Sequence, residues 1–164
     1  MFKFPPKKAR SRHLEDHEAS QIKLSWPKAV QVFDLYRPEE LPEFNSYKLD
    51  SITSDMEQLL LKIILLIPTY IDPSASVHHI TNFIEGRCET LPTEFNAFKM
   101  PYKILSLFYL LADFYFKSRD FQKAIKYYTL DLTVNPTRFD SWAGMALSKA
   151  SKIETKINGL DSIR

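Results

Sequence analysis

The stretch SLFYLLADFYFKSRDFQKAIKYYTLDLTVNP, residues 106–136, decides the fold of this chain. In and around it, apolar residues recur at helical spacing over two runs, about Tyr102 to Lys117 and Phe121 to Val134. A third run extends from Arg138 to about Ile157. The linkers between the runs are short, which places neighbouring helices antiparallel. The sequence therefore predicts an all-α fold built from antiparallel helix pairs.

The same stretch carries a repeat signature of about 34 residues, W-x2-L-G-x2-Y…A-x3-F…P, which is typical of tetratricopeptide units. Small Ala112 and Ala124 let the two helices approach each other, whereas Asp131 departs from the pattern at a position that is usually small. We predict a tetratricopeptide-like right-handed helical repeat, an α-solenoid segment. The alternative is an ordinary antiparallel helix pair that matches by chance. The matching positions are Phe108, Leu111, Ala112, Tyr115, Ala124, Tyr128 and Pro136, with Trp142 at the place of Phe108 in the next unit.

The predicted organisation has three parts. Residues 1–12 are rich in basic residues and contain Pro5-Pro6, which indicates an extended basic lead-in. Residues 13–99 form a helical region without a clear repeat, and residues 100–164 hold the repeat. One full unit covers 105–138, and the first helix of a second unit follows it. Because a repeat cannot bury its apolar face alone, we expect the chain to be part of a longer protein or an incomplete gene model.

The region 13–99 begins with helical periodicity from about His13 to Pro38. Pro27 either kinks this helix or opens a second one after Ser25. Residues 38–50 indicate a loop.

Ser54 and Glu57 fit a capping box in front of an apolar run that Pro68 ends. This helix is apolar nearly all round, so we expect it to be the most buried element of the first half. A shorter helix over about 76–85 ends at Gly86, a favoured residue just past a helix end, and 87–99 is irregular. We expect the first-half helices to pack against the repeat helices.

Composition limits the classes of function. With 45% hydrophobic residues the chain can bury a core, and its three glycines are few for phosphate loops or nucleophile elbows. A net charge of +2 does not indicate a nucleic-acid partner. There is no apolar signal segment at the start, and the longest apolar run is about half the ~20 residues that span a bilayer. We expect a soluble intracellular protein with protein partners, no membrane, no direct nucleic-acid binding and no small-molecule substrate.

Ionisable residues form no convincing catalytic or metal site, so we predict no enzyme activity, cofactor or metal. His13 and His17 lie one helical turn apart, but no third ligand is indicated. His78 and His79 are adjacent and should diverge by about 100° on a helix. The basic cluster of the lead-in is interpreted as an ordinary short basic run, and the functional alternatives are a nuclear-import signal or a phosphate-binding patch. The remaining candidates, Asp34, Glu39, Glu40 and Cys88, are interpreted as ordinary solvated or loop groups, and the basic cluster comprises Lys7, Lys8, Arg10 and Arg12.

The inner face of the repeat is the predicted partner-binding surface. It is aromatic and acidic, so a ligand should be neutral, aromatic-complementary or basic, and an acidic peptide terminus is excluded. The alternative is that this face packs on the chain's own first half. The residues predicted to line it are Ser106, Tyr109, Asp113, Phe116, Lys117, Asp140 and Leu147.

Six strings occur in order along nearly the whole chain, which a generic repeat match would not produce. They are KKARSRHLEDH (7–17), LPEFNSYK (41–48), FIEG (83–86), YLLADFYF (109–116), KAIKYY (123–128) and NPTRFDSWAGMALSKASKI (135–153). Together they resemble the calcineurin-binding protein cabin family, which is similar to a subunit of the yeast HIR complex.

The resemblance implies a scaffold role with the HIRA protein in replication-independent histone deposition, and hence a place in the nucleus. It does not imply calcineurin inhibition, because the family's calcineurin-binding segment lies far toward its carboxy terminus. Because the family protein is many times longer, the resemblance implies that this chain is an internal fragment. It implies no particular partner-contacting residue. The alternative function is that of a generic tetratricopeptide adaptor in an unrelated intracellular complex.

Overall fold

The computed structural model describes residues 23–44, 52–91 and 100–161, and in these ranges the chain forms six α-helices and no β-strand. The predicted all-α class is thereby confirmed for the described residues. The lead-in 1–12, the two histidines at 13 and 17, and the start of the first predicted helix lie outside them. The helices are α1 (Trp26–Tyr36), α2 (Ser54–Ile64), α3 (Val77–Ile84), α4 (Leu107–Lys117), α5 (Phe121–Val134) and α6 (Phe139–Asp161), with short 3₁₀ helices at Pro73–Ser76 and Tyr102–Ile104.

Helix α1 resolves the two interpretations of Pro27. The helix opens after Ser25 with this proline in its first turn, where a missing backbone N–H costs nothing. Its buried face packs against α2 and the 3₁₀ helix Tyr102–Ile104. Asp34 strengthens the second contact, because its carboxylate lies 2.6 Å from the Lys103 ammonium. This pairing, through the hydrogen bond from Lys103, lowers the pKa of Asp34.

Helix α2 differs from its prediction in two ways. Its N-cap is Thr53 rather than Ser54, and the Thr53 hydroxyl accepts a 3.2 Å hydrogen bond from the Met56 N–H. The expectation that α2 is the most buried helix of the first half is also wrong. It buries only Leu60 and Ile63, whereas α1 buries three side chains. Its other apolar residues, among them Leu59, Leu61 and Ile64, are half-buried against the core.

Helix α3 ends as predicted. Gly86 has φ +69°, a left-handed conformation that a residue without Cβ adopts at no steric cost. The Gly86 N–H donates to the Phe83 carbonyl and the Arg87 N–H to the Asn82 carbonyl, at 3.1 and 2.8 Å. This pair of bonds is a Schellman motif, and it satisfies carbonyls that the helix end would leave unpaired.

The centre of the molecule is the antiparallel arrangement of α4, α5 and α6. Helix α5 packs against both neighbours, and its limits match the prediction. Ala112 on α4 and Ala124 on α5 are fully buried, as the close approach of two helices requires. The first half covers this centre, because α2 packs on α4 and α3 packs on α5. The expected packing of the two halves is therefore confirmed.

The turn between α4 and α5 contains a strained residue. Arg119 has φ +61°, in the left-handed region that is unfavourable for a residue with a Cβ. Its N–H donates to the Phe116 carbonyl, and the Asp120 N–H donates to the Tyr115 carbonyl. Asp120 then caps α5, since its side chain accepts a 3.2 Å hydrogen bond from the Lys123 N–H. The turn is thus held by backbone geometry that glycine would adopt more easily.

Helix α6 is 23 residues long, and its residues 153–159 are exposed. A second unit in the 34-residue register would repeat the Ser118–Asp120 turn at 152–154, but α6 continues straight through these positions. The outer side chains include Leu147, Ile153 and Ile157, which are 44%, 58% and 53% exposed. Within the described ranges no helix combines the length and apolarity that crossing a membrane would need.

Candidate interaction face of helices α4 and α6

Six of the eight residues that defined the repeat signature lie on α4 and α5, and Pro136 and Trp142 follow them. Six of the eight are buried, including Phe108, Leu111 and Tyr128, while Pro136 and Trp142 are half-buried. The Trp142 indole N–H donates to the Pro136 carbonyl at 2.8 Å. Its ring meets the ring of Phe83 from α3 edge-on, with centroids 5.8 Å apart.

Tyr128 extends from α5 across to α6. Its ring end lies against the backbone of Gly144, where a Cβ would come within 2.4 Å of the Tyr128 Cζ atom. The hydroxyl is buried and has no hydrogen-bond partner among the described residues. Burial raises the pKa of Tyr128, and the nearby Asp113 carboxylate raises it further. Tyr128 therefore stays neutral, and glycine at position 144 is what permits α6 to lie so close.

Asp131, the position that departs from the repeat pattern, is the centre of a buried polar network. Its carboxylate accepts hydrogen bonds from Ser141 Oγ at 2.6 Å and Asn135 Nδ2 at 3.1 Å, and it lies 3.2 Å from Arg138 Nε. Burial raises the pKa of Asp131 to about 6, although Arg138, Ser141 and Asn135 all favour the charged form. The network joins the end of α5 to the start of α6.

The network also reaches the start of α4. Asn135 Nδ2 donates to the Leu105 carbonyl at 2.9 Å, and Arg138 Nη2 approaches the same oxygen at 3.5 Å. The Arg138 guanidinium lies over the ring of Tyr109 with 5.0 Å to the ring centroid. One buried cluster thus orients three helices, and Tyr109 is held at its edge.

The predicted partner-binding residues fall into two groups. Ser106, Tyr109 and Asp113 are buried, so a partner cannot reach them without displacing part of this chain. Phe116, Lys117 and Asp140 are half-buried, and Leu147 is exposed. Their role in binding stays a prediction. Among them, the structure brings Tyr109 and Asp113 on α4 close to Asp140 on α6. We call these three residues, together with the neighbouring Phe139 of α6, the α4/α6 face.

Asp113 is the most unusual group of this face. It is fully buried, and its Oδ2 lies 2.9 Å from the Lys117 ammonium. The contact is close but poorly directed, so neither Asp113 oxygen has a hydrogen-bond partner of good geometry among the described residues. Burial raises the pKa of Asp113, and Lys117 opposes this rise. A buried acceptor without a well-directed donor is unfavourable for the folded state.

The chain's own residues 41–44 lie on the α4/α6 face. The Tyr109 hydroxyl donates a hydrogen bond to the carbonyl of Pro42, which is buried. The ring of Phe44 meets the ring of Phe139 edge-on, with centroids 5.9 Å apart. These contacts agree with the alternative that the face packs on the first half of the chain. The sequence carried no signal for them, because residues 41–44 lie in a predicted loop.

A second contact between the halves was also not predicted. Glu57, assigned to a capping box from the sequence, instead accepts a hydrogen bond from the Tyr115 hydroxyl. The Tyr115 ring stacks on Tyr127 with an interplanar angle of 12°, and the Lys123 ammonium lies 4.8 Å from its centroid. This aromatic cluster anchors α2 to α4 and α5.

The other ionisable candidates form no site within the described ranges. No group of three or more His, Cys, Asp or Glu side chains is placed there to hold a metal ion. The rings of His78 and His79 do not diverge as expected, because they lie 3.8 Å apart. Cys88 is half-buried, and its thiol donates to the Thr90 carbonyl at 3.3 Å.

One open cleft of about 910 Å³ lies between the α4–α5 turn and the second half of α6. Its lining mixes acidic and basic side chains, among them Arg119, Asp120, Lys152 and Glu154. The charges do not converge on one point, so the cleft indicates no particular ligand.

No protein-family model matches the chain. No solved structure matches it either.

Proposed function

We propose that this chain is a non-enzymatic scaffold segment that acts by contacts of its helix faces with other proteins in a HIRA-type histone chaperone complex. The observation that carries the proposal is the packing of α4, α5 and α6, in which the repeat-defining side chains Phe108, Ala112, Ala124 and Tyr128 are buried between helices. Within this proposal, residues 105–138 are one tetratricopeptide-type unit.

The surface of α6 supports a role in contacts with other chains. A helix in a globular protein normally turns its apolar side inward, yet Leu147, Ile153 and Ile157 face solvent. The straight course of α6 departs from the tetratricopeptide pattern and extends this surface. A helix of this kind suits a protein that presents long faces to partners.

The assignment to a histone chaperone complex rests on the resemblance of the strings at 109–116, 123–128 and 135–153 to the cabin family. A nuclear chromatin role follows from the same resemblance. The packing of α4, α5 and α6 is equally compatible with a generic tetratricopeptide adaptor, which is the second candidate. The two candidates differ in the partners that they predict.

The test is an affinity pull-down of the chain from nuclear extract, read by mass spectrometry. Recovery of HIRA-complex subunits supports the first candidate, and recovery of chaperone or transport machinery in their place supports the second. A variant with Ile153→Glu and Ile157→Glu probes α6, and Leu65→Glu is the matched control, since Leu65 is 84% exposed on the other half of the chain. If a folded wild-type chain recovers no HIRA-complex subunit, the first candidate is wrong.

A further inference from the structure

The outward side of α6 carries apolar residues at alternating spacings of three and four positions. This spacing is the heptad pattern of a helix that pairs with a second helix along one seam. Ile153 and Ile157 are more than half exposed, and Ala146 and Ala150 are exposed as well. The residues at this spacing are Ala143, Ala146, Ala150, Ile153 and Ile157, and we call them the α6 seam.

The α6 seam lies on the side of the helix that turns away from α5. Ser148 lies one turn after Gly144, whose backbone packs against Tyr128 of α5, and both residues are buried. Successive residues of an α-helix are rotated by about 100°, so Ala146 and Ala150 each point about 160° away from Ser148. A second helix can therefore lie along the seam while α5 stays in place.

Helix α6 presents the seam as a helix that is already formed. A short helix in water is only marginally stable by itself, because its nucleation is unfavourable. The packing of α6 against α5 anchors its first half, and the same helix continues without a break through the exposed residues 153–159. A partner that binds the seam therefore does not have to pay for ordering a disordered segment.

The charges beside the seam are not used within the chain. Lys149 and Lys156 lie on one flank, at the g positions of the heptad, and Glu154 lies on the other flank, at an e position. None of the three forms an ion pair with another described residue. None has an oppositely charged residue three or four positions away on α6. Their charges are therefore available to a helix that lies along the seam.

A second copy of α6 in parallel orientation matches these charges. In a parallel pair each g residue faces the e residue five positions farther along the partner helix. Lys149 of each copy then faces Glu154 of the other, which gives two attractive pairs across the seam. In an antiparallel pair g residues face g residues, so that Lys149 and Lys156 would repel each other. The charges thus favour a parallel second copy.

We propose that the α6 seam is a self-association surface on which a second copy of this chain binds in parallel orientation and in register. The pair buries Ile153 and Ile157 of both copies. Three of the five seam residues are alanines, so the buried apolar area is small and the dimer is weak and concentration-dependent. A second copy is a specific partner for the α6 surface, and this assignment rests on the proposed function only in that helix faces contact other chains.

Sedimentation equilibrium of the purified chain, from about 1 µM to about 1 mM, tests the proposal. The apparent mass should rise from 19.2 kDa toward twice this value as the concentration increases. Ile153→Glu with Ile157→Glu should keep the chain monomeric throughout, because it would bury carboxylates in the seam. Thr155→Glu with Asn158→Glu is the matched control, since both side chains are exposed outside the seam on the same stretch, and it should dimerise like wild type.

Charge exchange tests the orientation of the two copies. Lys149→Glu alone and Glu154→Lys alone each make both pairs repulsive in a parallel dimer, so each should weaken dimerisation about tenfold. An equimolar mixture of these two variants should associate about as well as wild type, because both pairs between unlike chains are again attractive. In an antiparallel dimer, Lys149→Glu alone would instead relieve the repulsion between lysines and strengthen association.

Three results would overturn the proposal, provided that circular dichroism shows unchanged helix content. A chain that is monomeric at every concentration would leave the seam to a different protein. A dimer that persists with Ile153→Glu and Ile157→Glu would use another surface, and stronger association of Lys149→Glu would exclude the parallel orientation. Since the purified chain is measured alone, failure here is distinguishable from a pull-down that recovers no HIRA-complex subunit.

Discussion

The buried charge of Asp131 offers the sharpest test of how this fold is held together. Its carboxylate is fully buried and lies against Arg138, Ser141 and Asn135 at 3.2, 2.6 and 3.1 Å. Asp131→Ala removes the acceptor and leaves the Arg138 guanidinium partly buried without a counter-charge. Removing one partner of a buried ion pair lowers the free energy of unfolding by ~3–5 kcal/mol. For a domain of this size that corresponds to a fall in Tm of about 6–20 °C.

The double variant Asp131→Ala with Arg138→Leu distinguishes the cost of an unpaired buried charge from the net contribution of the ion pair to stability. An apolar pair avoids the desolvation of both charges, so replacing both partners is often neutral. Leu keeps an apolar stem next to Tyr109 but loses the guanidinium–ring contact, worth ~0.5–2 kcal/mol. We expect the free energy of unfolding of the double variant to lie within about 2 kcal/mol of the wild-type value and above that of Asp131→Ala alone.

The same residue predicts a pH dependence. Asp131 has a pKa of about 6 in the folded chain, against the ordinary value of 3.8. Protonation of Asp131 thus favours the folded state. This stabilisation is complete below pH ~4 and is lost as the pH rises through about 6. This rise in pKa corresponds to a change of about 3 kcal/mol in the free energy of unfolding over that pH range. Asp131→Asn should remove this part of the dependence.

Chemical denaturation at fixed pH, with helix content followed by circular dichroism, measures all three variants. The reasoning is refuted if Asp131→Ala costs less than about 1 kcal/mol, or if the double variant is no more stable than the single one. It is also refuted if wild type and Asp131→Asn lose stability in parallel between pH 4 and pH 6. Comparison with Asp131→Asn is needed because Asp113 also has a raised pKa and contributes a dependence of the same sign.

Four further substitutions test local features by thermal unfolding. Arg119→Gly should raise the free energy of unfolding by about 0.5–1 kcal/mol, because glycine adopts the left-handed backbone without strain. Gly86→Ala, at φ +69°, should lower it by a similar amount. A destabilising Arg119→Gly or a stabilising Gly86→Ala would contradict the strain argument. Gly144→Ala should cost ~1–3 kcal/mol, because the new Cβ would meet the Tyr128 ring end, and a neutral result would mean that α6 moves freely away from α5. Trp142→Ala should cost about 3 kcal/mol through its contacts with Phe83 and Pro136, and an unchanged Tm would show that this ring is not part of the core.

Several features could be predicted because they are encoded by neighbouring residues. The limits of α5 follow from a periodic run that starts after Asp120 and stops before Pro136. The end of α3 follows from Gly86, and the buried positions of α4 and α5 follow from their small and aromatic residues. The cap of α2 was missed by one residue, because Thr53 and Ser54 are both good N-cap residues and only the backbone turn chooses between them.

The sequence by itself determined the helical class, the α4–α5 pair and the acidic, aromatic character of the α4/α6 face, since helical periodicity and side-chain chemistry are local properties. Only the tertiary structure decided what covers that face and what compensates Asp131. Pro42 and Tyr109 are separated by 67 positions, and Glu57 and Tyr115 by 58. No periodic pattern encodes a hydrogen bond between such distant residues. These bonds form because the two halves of the chain pack together. The packing brings the Pro42 carbonyl to Tyr109 and the Glu57 carboxylate to Tyr115.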